Sequence, residues 1–308
     1  AADGRKMSKR LKNYPDPVAV INTHGADALR LYLVNSPVVR AEDLCFSEEG
    51  VKQLMRHILI PLWNAYSFFV TYANIDGWQP DGQDAPSAHP LDRWIRSSLD
   101  GLVARVTESM DNYDLQKSVR PFVQFIEDLT NWYIRRSRRR FWKSQDDADK
   151  AAAYRTLHHV LLELAKVAAP FIPFISEAIY RNLRRADMPE SVHLCDFPRA
   201  DASRRDPLLE EQMANVMTVV GLGRQLRSDN DLKVRQPLAV LHVVCRDQKR
   251  LDEIKVFEDV VQEELNVKRL AYGRHETELA VLKAKPDFKK LGPKLGPKVK
   301  KAAEVIAA

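Results

Sequence analysis

Residues 131–143 read Asn-Trp-Tyr-Ile-Arg-Arg-Ser-Arg-Arg-Arg-Phe-Trp-Lys, a run with six cations and no acid. At 100° per residue, Arg135, Arg136, Arg139, Arg140 and Lys143 fall within an arc of about 140°, with Trp132 inside it. Ile134 and Phe141 point the other way, with Arg138 beside them. The pattern is that of a helix that anchors an apolar stripe on a core and turns a cationic stripe outward. Arg138, on the apolar side, reads as half of a structural ion pair, and Trp132 and Trp142 read as packing residues. Guanidinium groups bind phosphates bidentately and stack on bases, so the stripe fits an RNA backbone. Periodicity alone leaves open a solvated basic face, or arginines paired with carboxylates such as Glu127 and Asp128.

Helical periodicity continues on both sides of this run. One long helix is expected over Leu115–Lys143, bent near Pro121, with another before it over Leu91–Asn112. A further helix covers Asp146–Ala169, and Pro170 and Pro173 separate it from a last one through Ile175, Ile179 and Leu183. Upstream, Ser47 starts a helix whose apolar face is Val51, Leu54, Ile58, Leu62, Ala65 and Phe69. Asp76–Pro90, with three prolines and two glycines, is a loop. Near the start, Asn13–Pro17 is rich in turn formers, Val18–Asn22 is a short helix broken at Gly25, and Ala26–Val34 is a second. Several long helices with short connections make a bundle.

After Ala186 the character changes. Ala186–Pro207 is extended, and a helix follows over Leu208–Leu226. Leu238–Cys245 reads as a strand, Asp252–Leu265 as a helix, Val267–Tyr272 and Glu278–Ala284 as strands, and a closing helix starts near Pro297. The fold class is mainly α, a helical bundle followed by a small α/β C-terminal domain. The expected boundaries are 1–45, 46–186 for the bundle, 187–207 for a linker and 208–308.

At 308 residues, 45% hydrophobic and 29% charged, the composition is that of a soluble globular chain. No apolar run approaches the roughly 20 residues of a membrane span, and the start has no apolar signal core. Cys45, Cys195 and Cys245 are isolated and odd in number, so neither a disulfide framework nor a C-x-x-C metal pair exists, and a reducing cytoplasm is expected. His158 and His159 are adjacent and on a helix cannot face one ion together. The net charge of +6 is unevenly placed: residues 129–145 carry +6 and residues 283–301 carry +7, leaving −7 for the remainder. Two basic patches in an otherwise acidic chain point to a polyanionic partner.

The beginning carries a different chemistry. Gly4-Arg5-Lys6-Met7-Ser8-Lys9-Arg10 places two lysines three apart behind a glycine, a clamp suited to a polyphosphate, although a solvated basic loop has the same appearance. Lys6–Arg10, Asn13-Tyr-Pro-Asp-Pro17 and Gly25-Ala-Asp-Ala-Leu-Arg-Leu-Tyr-Leu33 together resemble the second conserved motif, and the segment after it, of class I aminoacyl-tRNA synthetases. The family motif usually reads KMSKS, and here Arg10 replaces the last serine, which leaves any role of that hydroxyl in question. Within the subgroup for branched aliphatic amino acids, the KMSKR variant is similar to the eukaryote-like type of isoleucyl-tRNA synthetases. The Asn131–Trp142 run resembles that family's N-W-Y-x-R-R-x-R-R-R element, and Lys233-Val-Arg-Gln-Pro-Leu238 its K-x-R-Q-P-L element.

The resemblance implies an anticodon-binding bundle in an enzyme that forms isoleucyl-adenylate from ATP, with Mg2+, and transfers isoleucine to tRNA(Ile). It implies that Lys6 and Lys9 are catalytic through the ATP phosphates, with Met7 and Ser8 shaping the ATP loop, and that no metal sits in this part of the chain. It makes Arg135, Arg136, Arg139, Arg140 and Lys143 tRNA contacts, with Lys233 and Arg235 as further ones. Arg227, Lys233 and Arg235 equally suit tying a helix-to-strand junction together. The glycines and lysines of Leu291-Gly-Pro-Lys-Leu-Gly-Pro-Lys298 suit either electrostatic attraction of tRNA or a plain turn. A monomer is expected. The rivals are a valyl or other class I synthetase of the subgroup, a free-standing tRNA-binding module and a helical scaffold. The family's first motif and nucleotide fold precede the KMSK loop, so the isolated chain is expected to give no ATP–pyrophosphate exchange; measurable exchange by purified chain would contradict this.

Overall fold

The computed structural model describes residues 6–8, 10, 13–82, 87–143, 147–275 and 288–307. Contacts divide the chain into two compact units, 1–210 and 211–308. The first unit begins with α1 (Pro17–His24) and α2 (Ala26–Val34), which Gly25 separates at φ +88°, a conformation open to glycine. Pro17 opens α1, and the Asp16 carboxylate accepts from Val18 N–H at 2.9 Å. The helix begun at Ser47 runs as α3 (Glu48–Leu54), a π-helical turn (Met55–Leu59) and α4 (Ile60–Asp76). Ser47 Oγ caps it by accepting from Gly50 N–H, and Glu48 and Glu49 complement the helix dipole.

α5 (Pro90–Asp111) pairs with the long expected helix, which is α6 (Leu115–Glu127), a π-helical stretch (Asp128–Ile134) and α7 (Arg135–Lys143). Pro121 lies within α6, and the departure from α-helical geometry comes later, at Asp128–Ile134. In the wider π turn Trp132, Tyr133 and Ile134 are buried consecutively. α8 (Asp147–Ala168) and α9 (Pro173–Leu183) complete the bundle around Tyr133, Tyr154, Tyr180, Phe125 and Phe141.

α9 has no capping side chain of its own at Ile172. The buried Asp27 of α2 supplies one from a distance, accepting from Phe174 N–H (3.3 Å) and Ile175 N–H (2.8 Å). Arg30 donates to the Pro170 carbonyl through Nη2 at 2.8 Å, so α2 is clipped onto the α8–α9 turn. The extended stretch after α9 lies along α5, where Asp100 accepts from Asp201 N–H (2.9 Å) and Ser97 Oγ from Asp206 N–H (2.8 Å).

The second unit takes most of α10 (Pro207–Asp229) and a two-stranded parallel sheet, β1 (Leu238–Val244) with β2 (Val267–Gly273), in register from Leu238↔Val267 to Val244↔Gly273. Parallel neighbours require a crossover. Here it is two helices, α11 (Gln248–Lys255) and α12 (Glu258–Leu265), where one was expected over 252–265. The break falls at the buried Phe257, whose backbone leaves the helical region at φ −122°, ψ 37°. The expected strand Glu278–Ala284 lies outside the described residues. α13 (Phe288–Leu295) and α14 (Val299–Ala307) flank a 3-10 turn, Gly296–Lys298, and the Gly-Pro-Lys repeat lies in this region.

The π stretch opens on a titratable group. Burial pushes the Asp128 carboxyl up to about 6, partly offset by the hydrogen bond from Gln124 Nε2 at 2.8 Å. An acid raised above its unfolded value of about 3.9 binds its proton more tightly in the folded state, so stability falls as pH rises from about 4 to about 6 and is level above that. Asp128→Asn is expected to raise stability at pH 7.5 by about 1–3 kcal/mol and to have no effect near pH 4, as read by urea denaturation.

Candidate nucleic-acid interface

α7 carries the cationic run, and its two sides do different work. Arg138, Arg139 and Trp142 are exposed, Arg135 and Arg136 are half-buried, and Ser137, Arg140 and Phe141 are buried. Arg135, Arg138, Arg139 and Trp142 form a single i, i+3, i+4, i+7 row along the outer face. Trp142 is 49% exposed and touches Tyr72 at a tilt of 42°, ring centroids 5.9 Å apart, so much of the indole meets solvent. Arg135 is steered by its own helix: Nε donates to Asn131 carbonyl at 2.7 Å, and the guanidinium carbon lies 5.9 Å from the centroid of the buried Trp132 ring. Among the described residues, no ion pair involves Arg138 or Arg139. The side chain of Lys143 lies outside those described.

Arg140 departs from the expected cationic face. Its guanidinium is turned into the bundle, 9% exposed for the residue as a whole. Nη1 and Nη2 form a fork onto the fully buried Asp92 (2.7 and 2.8 Å), and Nε and Nη2 reach Asp149 (2.9 and 2.7 Å). The Tyr133 hydroxyl also donates to Asp92 Oδ1 at 2.8 Å, and Ser87 Oγ donates to Oδ2 at 2.6 Å. Asp92 stands in the first turn of α5, where the helix dipole also favours its charge. Hydrogen bonds from Arg140 to the two carboxylates outweigh its desolvation and hold it cationic, while burial raises the Tyr133 phenol well above its ordinary range. Arg138, expected inward in an ion pair, is on the outside. Arg138 and Arg140 flank the apolar arc on opposite sides, and the position of Asp92 and Asp149 decides which turns in.

Trp132 packs, as expected, whereas Trp142 belongs to the surface. The Arg138–Trp142 part of the row escaped the sequence reading because Ile134 and Phe141 place the apolar arc only to within about a residue on either side. Its signal was present as the i, i+3, i+4, i+7 spacing.

Elsewhere in the first unit, Lys6 and Met7 are exposed and Ser8 is half-buried, while Lys9 lies outside the described residues. His158 is buried, its Nε2–H donating to Leu183 carbonyl at 2.8 Å, and burial lowers its imidazole. Burial, helped by the Arg96 charge, pushes His159 down to about 3, so both imidazoles are neutral packing groups at neutral pH. Among the described residues no cluster of His, Cys, Asp and Glu could hold a metal, and no helix is long and apolar enough to cross a membrane. In the second unit Arg227 is buried and structural, donating to Leu265 carbonyl (2.6 Å) and Lys233 carbonyl (3.1 Å), whereas the side chains of Lys233 and Arg235 are exposed.

The first unit is thus a helical bundle with a cationic outer row on α7. Residues 92–243 match the family of anticodon-binding domains of tRNA ligases, and residues 1–45 match the class I tRNA synthetases for isoleucine, leucine, methionine and valine. The chain belongs to the class I aminoacyl-tRNA synthetases. Within that class it is similar over its whole length to isoleucine–tRNA ligases: 52% identical over 306 residues to that of Protochlamydia amoebophila, and 48% identical over 319 residues to that of Treponema denticola. It spans 99% of itself but only 30% and 29% of those relatives. The fold is also similar to the LeuRS of Agrobacterium radiobacter K84, solved as a ternary complex with tRNA and LeuAMS, with a TM-score of 0.50 and 20% identity over 67% of this chain and 23% of that one. The valyl and scaffold alternatives are not favoured by these relatives.

Removing one partner of a buried ion pair leaves the other charge uncompensated. Arg140→Ala is therefore expected to cost about 3–5 kcal/mol of unfolding free energy, against less than about 0.5 kcal/mol for Arg138→Ala, in parallel chemical denaturation.

Proposed function

We propose that this chain is the tRNA-binding part of an isoleucine–tRNA ligase and that Arg135, Arg138, Arg139 and Trp142 of α7 meet the RNA. The observation that carries this is the α7 row itself: two exposed arginines, without an ion pair among the described residues, flank a half-exposed tryptophan whose ring makes a tilted contact with Tyr72. Arginines clamp phosphate oxygens bidentately, and an exposed indole offers a flat face on which an unpaired base stacks. Arg136 and Lys143 add positive charge to the run, and Arg140 is left out because its donors are taken. Lys233 and Arg235 of the second unit supply further exposed cations for the phosphate backbone.

In the whole protein the parent reaction is activation of isoleucine by ATP, with Mg2+, followed by transfer to tRNA(Ile), in the cytoplasm and as a monomer. Lys6 and Lys9 stabilise the triphosphate, with Met7 and Ser8 forming the loop around it. The family match over residues 1–45 supports this assignment.

Filter binding of a tRNA panel with exchanged anticodons to the whole synthetase tests the reading. Tightest binding is expected for the isoleucine anticodon, with affinity falling steeply as salt rises. Arg138→Glu with Arg139→Glu is expected to weaken binding at least about ten-fold at 0.1 M salt without lowering the melting temperature, and Trp142→Ala to cost about 1–3 kcal/mol of binding. Unchanged affinity in the double charge reversal would overturn the assignment of this face.

A further inference from the structure

We propose that Asn13 is a positioning residue for ATP activation: it fixes the backbone from Lys6 to Ser8 and so presents Lys6 to the triphosphate that the lysine pair binds. The inference rests on the reading of those lysines given under Proposed function. Ser8 N–H donates to Asn13 Oδ1 at 2.9 Å, and Asn13 Nδ2 donates to the Lys6 carbonyl at 3.1 Å. Both partners are backbone groups of fixed polarity, so they determine which end of the carboxamide faces which group. One side chain thus pairs with a donor and an acceptor two residues apart and holds them as a neighbouring strand would. An aspartate in its place has no donor, and a serine is too short to span both groups.

The clasp restrains backbone and leaves side chains out. Lys6 and Met7 are exposed, so the ammonium group stays available while the chain that carries it is held. Asn13 is in turn fixed to the body of the unit through a series of local bonds. Pro15 restricts Tyr14, Asp16 caps α1, Gly25 turns the chain into α2, and Asp27 and Arg30 clip α2 to the α8–α9 turn. The Lys6–Ser8 backbone is therefore held by Asn13, and Asn13 leads directly into the helices clipped to the bundle.

In activation, an amino-acid carboxylate oxygen attacks the α-phosphorus, the bond to the bridging oxygen breaks, and its electron pair leaves with pyrophosphate. Negative charge grows on that leaving group, and a cation held in place in advance stabilises it without reorganisation at the moment of reaction. Displacement of such a group by about 1 Å costs up to about a hundred-fold in rate. A loop freed of its clasp loses transition-state stabilisation more than ground-state binding.

The test uses the whole synthetase and ATP–pyrophosphate exchange. Asn13→Ala is expected to lower kcat about ten-fold or more, with the KM for isoleucine, the melting temperature and tRNA affinity unchanged. Introduced into Lys6→Ala/Lys9→Ala enzyme, the same substitution is expected to add less than about two-fold, because its effect passes through those lysines. A wild-type kcat in Asn13→Ala would overturn the inference, as would a full additional ten-fold loss in the lysine-less background or a rate loss that follows a fall in melting temperature. An unmutated synthetase without exchange activity would instead overturn the reading on which the inference rests.

Discussion

The bundle depends on one buried carboxylate. Asp92 is fully withdrawn from solvent at the start of α5 and takes hydrogen bonds from Arg140, Tyr133 and Ser87. An ion in that position costs several kcal/mol to desolvate, and only a fork of charge-assisted bonds offsets it. Supplying the fork obliges α7 to present Arg140 inward, and Asp149 on α8 then completes the shell around the guanidinium. Three helices are thereby held at one rotation and one height relative to each other. Apolar packing alone tolerates neighbouring rotations more readily, since Leu, Ile and Phe exchange contacts with little directionality.

That constraint has a consequence on the far side of α7. With Arg140 and Phe141 fixed inward, the helix rotation is set and Arg138, Arg139 and Trp142 are carried to the surface. The basic run is thus divided, with one arginine neutralised within the bundle and Arg138 and Arg139 exposed to solvent. The wider turn at Asp128–Ile134 helps, because it buries Trp132 and Tyr133 side by side and lets Tyr133 reach Asp92.

The N-terminal segment is organised by the same means on a smaller scale. Asp27 reaches across sequence to cap α9, and Arg30 holds the carbonyl of Pro170, so α2 becomes part of the bundle. Backbone groups that a helix end or a proline turn would leave unpaired are used as attachment points. The same use of a polar side chain on bare backbone recurs where Asn13 bridges Lys6 and Ser8.

Much of this protein is legible in its residues. Helical spacing over 47–69, 91–112 and 115–143, proline and glycine breaks at Pro17, Gly25 and Pro173, and strands at 238–245 and 267–272 are local properties, because they follow from bonds and sterics within a few residues. The basic run, the K-x-x-K loop and the class they mark are equally local. What periodicity left undecided was the fate of residues at the edges of the apolar arc. Arg138 and Arg140 are chemically identical and sit at opposite edges of the apolar arc, and spacing alone favours Arg138 as the inward one. Their roles are decided by carboxylates 48 residues before and 9 residues after Arg140. The sequence by itself determined which segments are helices and that they carry a cationic face; the tertiary structure decided which cations compose it, because the cost of a buried unpaired charge is a property of the assembled core.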